Sequence, residues 1–115
     1  MNKFIINVMK VKDLVQIYHW QTDDYARHKA SGELYDSLNQ KLDKFVEAYQ
    51  KNNRIAVIKG GKCFLKNMSG KSAKKLLEEF ADYLTKLDTK KPDLLNIRDE
   101  MLADVNQTLY LFSLN

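Results

Sequence analysis

Cysteine is nearly absent from this sequence: Cys63 stands alone, which excludes an internal disulfide and a thiolate zinc centre built within one chain. Proline is as scarce, with Pro92 the single example, and only four glycines interrupt the 115 residues, so few positions force a helix to break. No run approaches the ~18 uninterrupted apolar residues of a membrane span, and Met1 to Met9 is too short and too polar for a secretory signal. The expectation is a cytoplasmic protein in a reducing compartment, with no membrane partner. Phosphate-loop chemistry is missing too. Lys59-Gly60-Gly61-Lys62 lacks the spacing, and Gly70-Lys71-Ser72 would need its earlier glycine at position 65, which is Leu. There is no Glu-x-x-His pair, which excludes the within-chain di-iron site of larger ferritins.

What is present is helical patterning in a chain long enough for one hydrophobic core without covalent staples. Apolar residues make up 44% of it, enough for such a core. Ile5, Val8, Leu14, Val15 and Tyr18 recur at helical spacing, predicting a first helix over about residues 5–22. Asp23 or Asp24 then offers a cap for a second helix over about 24–52, with Leu34, Leu38, Leu42, Phe45 and Tyr49 on one stripe. Ser72 is the expected cap of a third helix, about 72–88, carrying Leu76, Leu77, Phe80, Leu84 and Leu87. Pro92 opens a fourth, about 92–113, whose apolar positions run from Leu94 through Met101 to Phe112.

The connections carry as much information as the helices. Helices one and two, and again three and four, are separated by a few residues, so each pair reads as an antiparallel hairpin. The crossover over about 53–71 is too long for a tight turn, and its Ile55–Ile58 and Cys63–Lys66 arms around Gly60-Gly61 suggest a small β-ribbon. Two hairpins joined by one long crossover predict a single all-α domain over residues 1–115, a ferritin-like antiparallel four-helix bundle.

Charge is unevenly placed around a net of +4. Residues 51–91 hold eleven Lys or Arg against four Asp or Glu, a local excess of +7. Such a basic middle can bind nucleic acid or an acidic protein by counterion release, with Lys71, Lys74 and Lys75 as its densest group. The plain alternative is a Lys-rich solvated surface, since stacking aromatics are not interleaved with these lysines.

The candidate chemistry lies on the first hairpin. His19 and His28 are the only two histidines, and Asp43 and Glu47, four apart, project from one helix face. Imidazoles with carboxylates are the donor set that holds iron, manganese or zinc. One chain does not close His28 and Asp43 around one ion, because fifteen residues of helix separate them by about 22 Å at 1.5 Å per residue. A second copy solves the problem: two second helices crossing antiparallel about a two-fold near Tyr35-Asp36 bring His28 of one chain to Asp43 of the other.

This pattern resembles the Dps branch of the ferritin-like proteins, the mini-ferritins that oxidise iron at a site shared between two subunits. The likeness rests on residues 14–50: His19-Trp20 near the end of helix one, His28 opening helix two, Leu34-Tyr35 six residues later, and Asp43 and Glu47 fifteen and nineteen after that histidine. It implies His19 and His28 as metal ligands from one chain and Asp43 and Glu47 from its partner, iron as the metal, with zinc or manganese as alternatives, and ferroxidase chemistry. It also implies a homodimer and, in the family, closed shells of higher order. The chain is similar as well to Dps-like proteins of phages and large DNA viruses, which would place it in a host cytoplasm. It departs from the family at Gly32, where a carboxylate usually follows the second histidine by four residues, in a shorter link between the histidines, and in its basic charge. Those departures point to weak or lost ferroxidase activity. Each residue also has an ordinary role open to it: His19 and Trp20 as interface residues, His28 as a partner for Asp24, Asp43 and Glu47 as solvated carboxylates. The competing function is a non-enzymatic helical interaction module that keeps the fold without the metal.

Overall fold

The structure, a computed structural model, describes residues 1–51 and 59–114. Four helices make up its regular structure: α1 Asn2–Gln21, α2 Tyr25–Gln50, α3 Gly70–Thr85 and α4 Pro92–Ser113. The starts follow from local chemistry. Asp24 caps α2 by accepting from the Ala26 amide at 3.0 Å. Pro92 fills the first turn of α4, where a missing N–H costs nothing. For α3 the expected cap is corrected: Ser69 caps the helix and Ser72 is its reciprocal partner three residues on, a capping box. The helix therefore begins and ends two to three residues earlier than its apolar pattern suggests.

The helices form a ring in which α1 packs on α2 and α3, and α4 packs on α2 and α3. Contacts along each neighbouring pair fix its direction. Phe4 stacks on Phe45 at one end of α1 and α2 while His19 meets His28 at the other. Arg27 reaches Phe112, and Ser37 and Lys41 reach Asp104, so α4 runs opposite to α2. Phe4 lies beside Tyr83, and Tyr18 beside Gly70, so α3 runs opposite to α1. Neighbours are antiparallel, and α2 and α3 sit on a diagonal.

That diagonal explains the long connection, which carries the chain from the Gln50 end of the bundle to its His19 end. Its described part lies along α1: Gly61 abuts Ile6, Cys63 Sγ sits 3.9 Å from the Ile6 carbonyl, and Gln21 bonds Asn67 and the Met68 amide. A side chain at position 61 has no room, since its Cβ would lie 2.1 Å from Ile6 Cδ1. The Cys63–Lys66 arm of the expected β-ribbon is irregular, and no strand occurs among the described residues; the Ile55–Ile58 arm lies outside them.

The core is aliphatic at the centre and aromatic at the ends. Val8, Leu38, Leu84, Met101 and Val105 have no exposed surface, and burying such side chains contributes about 1.5–3 kcal/mol each. Phe4, Phe45, Phe80 and Tyr83 close one end, and Tyr18 with Phe112 the other. Burial raises the Tyr83 pKa above the ordinary phenol value of 10.0, opposed by a hydrogen bond with Asn7. Among the described residues no helix is long and apolar enough to cross a membrane.

Candidate functional site on the first hairpin

The turn Thr22-Asp23-Asp24 is short enough to set the last turn of α1 directly against the first turns of α2. The consequence is a reciprocal clasp. His19 Nδ1 lies 2.5 Å from the His28 carbonyl, and His28 Nδ1 lies 2.7 Å from the His19 carbonyl. A carbonyl oxygen only accepts, so both Nδ1 atoms carry the hydrogen and donate; the neutral form of either ring then has its lone pair on Nε2. Metal-binding histidines are commonly oriented by the same bond, an Nδ1–H held by a backbone carbonyl.

The rings also stack, with centroids 3.8 Å apart and planes 16° from parallel. Tyr35 meets His19 edge-on at 5.4 Å, and Tyr25 lies 6.5 Å from His28. Gly32 makes room for this. A Cβ there would lie 2.8 Å from His19 Cε1 and 3.0 Å from Nδ1. The glycine in mid-helix thus makes room for an imidazole of α1 in its own chain. The same contact means that no carboxylate fits at position 32 while His19 keeps its place.

Stacking limits what the pair can bind. An ion held by imidazole sits in the plane of the ring, about 2.0–2.1 Å from nitrogen for zinc. Two nearly parallel planes at this spacing do not meet on one ion, so as stacked the pair offers one imidazole at a time. Joint ligation by His19 and His28 requires one ring to turn out of this stack. His28 is not Asp24's partner either, because Asp24 caps its own helix and lies 3.8 Å from Arg27.

Asp43 and Glu47 are exposed and take part in no ion pair or hydrogen bond among the described residues. They continue an outward stripe of α2. Steps of three or four residues run from Tyr25 through Lys29, Gly32, Asp36 and Asn39 to Asp43, all exposed or half-buried. Glu47 follows one turn later. Within one chain no group of three His, Cys, Asp or Glu side chains converges among the described residues.

Beside the clasp sits a residue that sequence reasoning missed. Arg27 donates to the Tyr18 hydroxyl at 3.2 Å and to the Phe112 carbonyl at 2.6 Å, with its guanidinium 5.0 Å above the Phe112 ring. A cation at the C-terminal carbonyls of α4 meets the negative end of that helix. Gly70, where a Cβ would lie 2.9 Å from Arg27 Nη1, lets α3 begin at the same point. One side chain thus joins all four helices at the end that carries the histidines. Lys71, Lys74 and Lys75 are exposed on α3 and in no ion pair among the described residues.

A family model matches residues 19–112, a span that takes in His19, His28, Asp43 and Glu47; its description is a family of unknown function (DUF5856). The chain belongs to that family. No curated protein and no solved structure matches the chain.

Proposed function

We propose that this protein is a ferritin-like bundle, akin to the Dps mini-ferritins, that pairs along α2 and holds iron or a similar divalent metal between chains. His28 of one subunit and Asp43 and Glu47 of its partner supply the donors. The observation that carries this reading is the clasp: both Nδ1 atoms are tied to backbone carbonyls, leaving each Nε2 lone pair available, while the carboxylate pair stands exposed and unpaired on the same helix. The ring of antiparallel helices with a connection along its length supports the ferritin-like assignment. Gly32 sets the expected chemistry. With His19 in the space where the family places a carboxylate, the site binds metal with a reduced ligand set, and ferroxidase turnover is weak or absent.

Sedimentation of the purified protein, followed by anaerobic Fe(II) titration, tests this. A dimer with one saturable site per chain is expected, and binding falls at least about tenfold in His28→Ala and in Asp43→Ala, the usual scale for a lost ligand or its support. A monomer, or binding indifferent to both substitutions, overturns it. The second reading, a helical module that contacts nucleic acid or protein without metal, is favoured by one observation: His19 and His28 already satisfy each other within the chain. Salt-dependent DNA binding lost on neutralising Lys71, Lys74 and Lys75 is its signature.

A further inference from the structure

On the side of the bundle away from α2, the described part of the crossover leaves a groove between itself, α1 and α3. Its floor is apolar, made by Leu14, Met68 and Leu76. Lys10, Lys66 and Lys75 stand around it, one from each of the three elements. Phe64 lines it too, and with 79% of its surface exposed is the most exposed large apolar side chain described. Leu65 beside it is exposed as well, so the crossover presents two adjacent apolar side chains at the edge of the groove.

Charge says which partner. α1, residues 59–69 and α3 together carry nine Lys against four Asp or Glu, whereas α2 and α4 carry five Lys or Arg against eight Asp or Glu. The groove lies on the positive side. Two features favour an acidic peptide over a nucleic acid. Among the described residues the cations that line the groove are lysines, with none of the planar guanidinium groups that stack on bases and grip phosphate in pairs. Phe64 is the one aromatic ring among the described lining residues, whereas a strand of bases stacks on successive rings.

We infer that this groove binds an acidic peptide segment of a partner protein, with leucine-like anchors on the Leu14–Met68–Leu76 floor, Phe64 packed against them, and acidic side chains paired with Lys10, Lys66 and Lys75. Apolar anchors in a groove with a charged rim are a recurring way of holding a peptide, and Met68 gives the floor some adaptability. The inference stands apart from the metal reading, since it uses neither the α2 stripe nor any residue of the histidine clasp.

Fluorescence anisotropy with a labelled peptide of Glu and Leu at helical spacing tests it on the whole protein, beside an all-Glu peptide of equal charge and an oligothymidine. Binding of the Glu-Leu peptide is expected to weaken at least about tenfold in Phe64→Ala and in the double variant Lys66→Glu, Lys75→Glu, and to fall as salt rises from about 50 to about 500 mM. These positions are exposed, so unchanged helical circular dichroism separates lost binding from lost fold. No binding of the Glu-Leu peptide, or equal binding of the all-Glu peptide, overturns the proposal. Tighter binding of oligothymidine overturns it as well and assigns the groove to nucleic acid.

Discussion

The two ends of α2 put their polar side chains to opposite uses. Near its start, Arg27 and His28 spend their polar atoms inward, on the Phe112 carbonyl, the Tyr18 hydroxyl and the His19 carbonyl, and Gly32 yields its side-chain space to a ring. Toward its far end, Asp43 and Glu47 face outward with no partner among the described residues. The first end serves the fold of its own chain, so its residues carry stability. At the second, Leu42 and Phe45 hold the core while the two carboxylates contribute little to the fold.

Substitutions along α2 sharpen that contrast. The largest loss is expected for Arg27→Ala, which removes charge-assisted bonds to two helices and leaves the last carbonyls of α4 unanswered; about 2–3 kcal/mol should disappear from chemical unfolding curves. Gly32→Ala should be close to neutral in the same measurement, within about 1 kcal/mol, because a better helix former offsets a disturbed imidazole stack. Its signature is in NMR, where the His19 and His28 ring protons lose their mutual ring-current shifts. Unshifted ring signals would mean that the glycine serves some other contact.

At the outward end, Asp43→Asn with Glu47→Gln should change unfolding by no more than about 0.5 kcal/mol, since exposed unpaired carboxylates contribute little to a fold. A large destabilisation there would erase the contrast between the two ends. The smallest effect lies on α3, in the aromatic cluster that closes the core. Burial favours the neutral Tyr83 phenol, so its folded pKa lies above the unfolded one, and the unfolded chain releases its proton first as pH rises. The stability it contributes is whole below pH 10.0 and declines as pH climbs from there through the raised folded value. Tyr83→Phe should flatten this alkaline decline, measured against the parent in parallel unfolding series.

Much of the fold was legible because it rests on local rules. The apolar stripes, the Asp24 cap, Pro92 and the two short connections locate four helices and two hairpins from spacing alone. Ser69 escaped notice because a capping box places two serines three residues apart at a helix start, and only the geometry tells which of them caps. The candidate site was half legible. Residue type and spacing singled out the two histidines and the two carboxylates, but not the clasp. Reciprocal bonds to backbone carbonyls leave no mark on side-chain patterns, and Gly32 gives no sign in the sequence of which neighbour approaches it. Arg27 was passed over for a similar reason: its partners Tyr18, Gly70 and Phe112 are scattered along the chain and gather only when the helices assemble.

The strap between the hairpins has a consequence for assembly. Since it joins opposite ends of the bundle, α3 and α4 reach their places only after travelling the full length of the first pair. Trading second pairs between two molecules would keep every helix-to-helix contact and reroute only the strap, which is the ordinary recipe for an intertwined dimer. Refolding at high protein concentration therefore favours the exchanged form, and refolding at high dilution favours each chain closing on itself.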